Sequence, residues 1–402
     1  MKIVIARAEI LRNARDFQNP NYLHYLMPLR KKTISRRVRH SLSALLALGF
    51  RNINRIQWLK NQLQTQVRKK QPHFANVQKA IQNMKADVFV CTHQRSHESM
   101  VWVEAARTLG IPTMAFIFSW DNLPKGTLLV QADYYLVWSA YMARELQDYY
   151  PWIKPSQIKI VGAPQFLHYR ASGLAMTREE FACKFGLNPA ARWICFSGDD
   201  QMTSPYDPLY LRDLAEAVAK QDSMAIQILF RPSPADCSDR YNAIVATYPN
   251  LIKIIPPAWY SSTKMSWNQL IPQAEDNSLL ACLAAYCEAV FNVGSTMAID
   301  FSIFGKPAAY FRYNAAPSDT WDIHKIYRFI HFQSMGELDP VYWLDHPDQG
   351  WDLEEILSDS QNKVAQLQAW QSIISVQPID QTGNRMWEAI QRVGTQSLAG
   401  HP

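Results

Sequence analysis

Short apolar runs alternate with longer stretches whose apolar residues recur at helical spacing. ADVFVCT (86–92) precedes the helical HESMVWVEAARTLGIP and then TMAFIFS (113–119), while YYLVWS (134–139) leads through AYMARELQDYY to IKIVGAP. The pattern resumes with RWICFSG (192–198), PLYLRDLAEAVAKQ, AIQILFRPSP, a helix around Tyr241 to Tyr248, LIKIIPP, the helix SLLACLAAYC and EAVFNV. Runs apolar at nearly every position, each followed by a helix, predict βαβ units with parallel sheets covered on both faces. AARTLGIPTMAFIF and DFSIFGKPAAYF also share a local grammar, in which a glycine ends a helix and a proline prevents its continuation. This echo suggests two α/β halves flanking a linker near 165–190, where Thr177 and Glu180 stand at capping-box positions before a helix. WDLEEILSDSQNKVAQLQAWQSII, after 350, reads as one long amphipathic helix that could cross back over the first half.

Composition narrows the class. With 402 residues, 48% hydrophobic and 19% charged, the chain is globular and long enough for two domains. No apolar run reaches the length of a membrane span; the best, Leu42 to Phe50, is about half of it. MKIVIARAEI carries charges inside its apolar stretch, so it does not read as a signal peptide. Six cysteines (91, 183, 195, 237, 282, 287) lack CxxC or CxxH spacing, which argues against a disulfide framework or zinc site and for a reducing cytosol. The net charge of +6 is uneven: residues 30–85 hold fourteen Lys or Arg and no Asp or Glu. That region fits a solvated helical face, or a basic, part-apolar surface resting on anionic lipid. No nucleic-acid motif lies in it, so no nucleic-acid partner is expected.

Ligands of open parallel sheets bind beyond the carboxyl ends of the strands. Five such ends carry polar or small residues: THQRSHES, SWDNLPKG, SGDDQ, RPSP and GSTMAID. Gly294-Ser295-Thr296 suits anion binding by helix-end N–H groups and hydroxyls, or a plain N-cap. It matches neither a Walker A loop nor a GxGxxG fingerprint. Asp300 could accept from a ribose diol, or simply favour the positive helix end. Arg231, held before two prolines, fits a pyrophosphate or a structural salt bridge. Gly198 precedes Asp199 and Asp200, which are adjacent and therefore not a DxD metal motif, so no metal is expected. Trp120, Asp121 and Asn122 fit a carbohydrate site with Asp121 as base, or an Asx-turn beside a buried Trp. His93 and His97 flank Arg95; His93 is a candidate base or a satisfied polar residue.

SWDNLPKG, then YLVWSAYMARELQDYYPWIKPSQIKIVGAPQF, then NVGSTMAIDFSIFGKP resemble, in order and spacing, bacterial surface-polysaccharide transferases of the GT-B fold, near the polyol-phosphate (CDP-glycerol type) transferases. The likeness spans about residues 85 to 315. It implies two facing Rossmann-like domains with parallel sheets and an interdomain cleft: an acceptor-side domain over 1–170, a nucleotide-sugar-binding domain over 171–350, and helices over 351–402. By this resemblance Gly294, Ser295, Thr296 and Asp300 become donor ligands and Arg231 a phosphate contact, with Gly198 on the same side. Trp120, Asn122, His93 and His97 fall on the acceptor side, and Asp121 or His93 is the base of an inverting reaction. It further implies a metal-independent glycosyltransferase without a cofactor, using a nucleotide-sugar donor and a glycan or lipid-linked acceptor. The expected location is the cytoplasm, in peripheral contact with the inner membrane face through 30–85. Alternatives are a CDP-glycerol-type transferase, a sugar-nucleotide epimerase of the same fold and a non-catalytic assembly partner. One departure stands out: MKIVIA runs into RAEILRNARDF with no glycine until Gly49, so either the usual opening strand–helix unit is absent or the first domain is an unusual one.

Overall fold

The computed structural model describes residues 1–26, 34–70, 73–126, 128–170, 173–221, 225–260, 269–358 and 360–399. By contact the chain forms two units: Met1–Pro164 with Arg328–Ser334 and Ile373–Pro402, and Gln165–Tyr327 with Met335–Ser372.

The first unit opens with helices α1 (Lys2–Asp16), α2 (Ile34–Gly49), α3 (Ile53–Lys70) and α4 (Phe74–Met84). MKIVIA is therefore helical. Ile5, Ala8, Glu9 and Arg12, spaced i, i+3, i+4, i+7, form its buried face. Glu9 survives burial because Lys60 of α3 pairs with it at 2.7 Å, both side chains at most 2% exposed; an unpaired charge there would be costly. Lys60 also donates to the Leu128 carbonyl (2.7 Å), and Arg12 to that of Tyr149 (2.7 Å).

Four parallel strands follow: β1 (Phe89–Cys91), β2 (Thr113–Phe116), β3 (Tyr134–Val137) and β4 (Ile158–Ile160), side by side in chain order. Helix α5 (His97–Thr108) joins β1 to β2, and α6 (Ala140–Tyr149) joins β3 to β4. Gly110, at φ 74°, supplies the left-handed residue before β2 that the sequence predicts.

The second unit opens with α7 (Arg178–Phe185), whose capping box forms as expected: Thr177 Oγ1 accepts from Glu180 N (3.2 Å) and Glu180 Oε2 from Thr177 N (2.8 Å). Then come β5 (Arg192–Ser197), α8 (Asp207–Ala219), β6 (Ile226–Arg231), α9 (Asn242–Thr247) and β7 (Ile252–Ile254). A two-residue antiparallel pair, β8 (Trp259–Tyr260) with β9 (Ile271–Pro272), leads to α10 (Ala274–Tyr286), β10 (Val290–Asn292), α11 (Met297–Ser302) and β11 (Ala308–Phe311). Helix α12 (Ile323–Ile326), β12 (Tyr342–Leu344), α13 (Leu353–Ser358) and α14 (Gln361–Ile374) complete this stretch of chain. The pattern read as one long helix after 350 is thus two, α13 and α14. The last helix, α15 (Thr382–Ala399), belongs to the first unit.

The six main strands are parallel in the order β12-β11-β10-β5-β6-β7. Counted along the chain this is 3-2-1-4-5-6, the doubly wound arrangement. Trp193 to Phe196, Val290, Phe291 and Ala308 to Phe311 are fully buried, which is why these strands read as unbroken apolar runs.

Candidate functional site

In the second unit the strand order reverses between β5 and β10. Right-handed crossovers carry the chain away from these neighbours on opposite faces, the arrangement that opens a crevice beyond the carboxyl ends in doubly wound sheets. Phe291 stands level with Phe196, Asn292 with Tyr310, and Ser197 with Arg231, so four strand ends form one row. Asn292 is fully buried; its Oδ1 accepts from Ser295 N at 2.8 Å, and its Nδ2 has no partner among the described residues. Gly294, at φ 71°, makes the left-handed turn this bond requires. Tyr310 donates to the Ser295 carbonyl (3.0 Å), and Ser295 Oγ accepts from Met297 N (3.4 Å). The exposed Thr296 caps α11 by position only, without a side-chain cap bond. Asp300, in the first turn of this six-residue helix, is part-buried. Burial raises its pKa to about 7, against a hydrogen bond from Tyr169 that lowers it.

On the other side of the crevice, Gly198 is glycine for packing: a Cβ there would stand 2.9 Å from Tyr241 Oη and 3.0 Å from Phe230 Cε2. The following Asp199 N donates to Asp207 Oδ2 at 2.6 Å, and Tyr241 Oη to the same oxygen at 3.1 Å. Burial holds both carboxyls above the usual range, and at Asp199 the Asp207 charge adds to it. Asp199 Oδ2 and Asp207 Oδ1 have no partner among the described residues. Asp200 merely closes a turn onto Met202 and Thr203. Sequence reasoning named Asp199 but missed Asp207, whose approach requires the loop between them to fold back.

Arg231 ends β6. It is 5% exposed and pairs with buried Asp276 at 2.5 Å, while Nη1 donates to the Pro256 carbonyl at 2.9 Å. Asp276 also accepts from Ala258 N and Trp259 Nε1, each at 2.7 Å. Of the two roles the sequence left open, the structure shows the salt bridge.

In the first unit the loops after β1 and β2 are clasped together. Gln94 Oε1 accepts from Phe118 N (2.9 Å), Arg95 Nη1 donates to Asn122 Oδ1 (3.0 Å), and His93 stacks on Phe118 at 4.7 Å. His93 Nδ1 accepts from Arg95 N at 3.2 Å; burial, then the Arg95 charge, lowers its pKa and keeps it neutral near pH 7. Its neighbour in the sequence motif, His97, opens α5. Two of the acceptor-side candidates are buried. Asn122 is 1% exposed and braces the loop, donating to Ser119 O (3.3 Å) and Asp121 Oδ1 (3.2 Å). Trp120 is 4% exposed and packs edge-on to His331 (4.8 Å) and Phe332 (6.3 Å), so it is no open aromatic wall. Burial alone would raise the pKa of Asp121, but its ion pair with Lys125 and the field of His331 hold it well below the usual range. That makes it a weak base. His331 was absent from the sequence reading because it lies past no strand end; it joins this unit through 328–334. It shares a 3.2 Å hydrogen bond with Tyr25 Oη, and burial lowers its pKa to about 4 despite Asp121. Glu145 is also buried nearby, its Oε2 unpartnered among the described residues and its pKa raised by burial to about 8.

Among the described residues no group of three His, Cys, Asp or Glu is arranged to hold a metal, and no helix is long and apolar enough to cross a membrane. No protein-family model matches the chain, and no curated protein matches it. Solved structures do. The S. aureus MnaA–UDP co-structure aligns with 100% of this chain and 96% of that one, at 9% identity and TM-score 0.54. A putative UDP-N-acetylglucosamine 2-epimerase from Listeria monocytogenes aligns with 85% of this chain and 80% of its own, at 11% identity and TM-score 0.54. The fold is GT-B. A glycosyltransferase from Rickettsia africae, covering 83% of each chain at 12% identity, has a TM-score of 0.48 and adds nothing to that assignment.

Because Arg231 and Asp276 form a buried pair, Arg231→Met is expected to cost about 3–5 kcal/mol in urea unfolding, by leaving a buried carboxylate unpaired. Adding Asp276→Asn should recover at least half. A phosphate-binding arginine would instead lose nucleotide affinity with little change in stability.

Proposed function

We propose that the chain is a glycosyltransferase that moves a sugar from a nucleoside-diphosphate donor to a glycan or lipid-linked hydroxyl in surface-polysaccharide synthesis. It would work in the cytoplasm, held at the inner membrane face through the basic region 30–85. The observation that carries the reading is the turn Gly294–Ser295–Thr296, fixed by Asn292 and Tyr310 beside the reversal of strand order. In this reading the turn's N–H groups other than that of Ser295, together with the Ser295 and Thr296 hydroxyls, receive the diphosphate, and Asp300 accepts from the ribose diol. They stabilise the charge that builds on the leaving nucleotide as the sugar–oxygen bond breaks. The acceptor oxygen forms the new glycosidic bond, and its proton passes to a base. His93, neutral near pH 7, would take that proton on Nδ1 once this nitrogen is released from Arg95 N, and it suits the role better than Asp121, whose carboxylate is stabilised by Lys125. Gly198 shapes the opposite wall rather than touching phosphate.

A second reading is a sugar-nucleotide epimerase, because the Listeria monocytogenes structure is described as one. It would use the same donor site and need no acceptor. A CDP-glycerol-type transferase would show itself by preferring cytidine nucleotides, and a non-catalytic partner by binding none.

Two outcomes are expected. UDP, named with the S. aureus structure, is the first nucleotide to try, beside CDP, GDP and dTDP. Ribose hydroxyls donate best to an ionised Asp300, whose pKa is raised to about 7. Calorimetry should therefore find binding about tenfold weaker at pH 6 than at pH 8, beyond any change retained by Asp300→Asn. A pH dependence identical in both proteins would remove Asp300 from the site. In a donor-turnover assay, His93→Gln should lower kcat by about 10²–10⁴-fold while leaving nucleotide affinity unchanged. Asp121→Asn should cost less than His93→Gln; the reverse order would make Asp121 the base.

A further inference from the structure

Over residues 41–49, whose side chains are described, helix α2 is docked the wrong way round for an ordinary surface helix. Amphipathic helices turn their large apolar residues to the core. Here the inward residues are small: Ala47 is fully buried, Ser43 and Ala44 are part-buried, and Ser43 Oγ accepts from Arg7 Nη1 of α1 at 3.1 Å. The leucines point outward, with Leu42 55%, Leu45 67%, Leu46 44% and Leu48 48% exposed. Leu42, Leu45 and Leu46 share one face at i, i+3 and i+4. Trp58 of α3, 53% exposed, extends the apolar surface by stacking on Phe50 at 6.2 Å. Exposed Arg51 and Arg55 flank it.

We infer that this face, Leu42, Leu45, Leu46, Leu48 and Trp58, enters the headgroup region of an anionic lipid bilayer. The inference names the membrane contact in the proposed function, but rests on exposure and charge rather than on the donor site. Charge selects the occupant. Residues 30–85 hold fourteen Lys or Arg and no Asp or Glu. A second copy docked on this face would bring the exposed Arg51 and Arg55 of both chains together, with no carboxylate within residues 30–85 of either to neutralise them. A nucleic acid would satisfy the arginines but give the leucines nothing to be buried in. An anionic bilayer does both, with acyl chains for the leucines, headgroups for the arginines and an interfacial zone suited to Trp58.

The test uses the full chain and flotation with phosphatidylcholine vesicles, with and without about one third phosphatidylglycerol. The expected result is binding to the anionic vesicles that weakens at high salt, falls at least tenfold in Leu42→Gln/Leu45→Gln, and falls several-fold in Arg51→Gln. These side chains are exposed, so circular dichroism and nucleotide affinity should match wild type. That match separates loss of membrane contact from misfolding, and keeps the result independent of donor binding. Unchanged flotation of the leucine variant would overturn the inference, as would absence of wild-type binding. A concentration-dependent dimer in sedimentation, abolished by the leucine substitutions, would assign the face to a second copy instead.

Discussion

Two parallel strands that lie side by side but send their chains to opposite faces cannot both close the space beyond their carboxyl ends. In the second unit β5 and β10 are that pair, and the candidate donor site follows from them. On one side Gly198 admits Tyr241 and leads into the Asp199–Asp207 pair; on the other, Asn292 folds Gly294–Ser295 back across its own strand end. Neither loop is long. Each is held by a buried side chain that accepts from loop backbone, Asn292 from Ser295 N and Asp207, at the start of α8, from Asp199 N, so the loops are fixed to the strand and helix that flank them.

The polar groups around this crevice oppose stability. Asp300, with its pKa raised to about 7, is held protonated by the fold at pH values where the unfolded chain would ionise it. From the unfolded value near 4 upward, its contribution to stability therefore falls as pH rises, and the full penalty is present above about pH 7. Asp199 and Asp207 carry the same sign of penalty, and the Asn292 amide leaves a buried donor unpaired among the described residues. Several uncompensated polar groups at one sheet edge match a site that a ligand completes. Arg231 shows the contrast. Its charge is matched by Asp276, which ties β6 to α10.

The sequence made the repeating strand–helix units legible because the central strands are covered on both faces and carry few polar residues. The capping box at Thr177 and the left-handed glycines 110 and 305 were also readable, since each depends on neighbours a few residues away. Contacts between distant residues were not. Arg231 and Asp276 lie 45 positions apart, and no local signal chooses that salt bridge over a phosphate. Trp120 is hidden by residues more than 200 positions later, and His331 reaches the first unit through a seven-residue segment with no motif. The inverted docking of α2 was equally hidden, because helical spacing reports that an apolar face exists but not which way it turns.

The central claim is that a nucleotide occupies the reversal between β5 and β10. Hydrogen–deuterium exchange by mass spectrometry, with and without saturating nucleoside diphosphate, tests it most directly. The account predicts slowed exchange confined to peptides spanning 197–204 and 292–302, with the row of buried strands already protected in both states. Protection elsewhere, with those two segments unchanged, would contradict it.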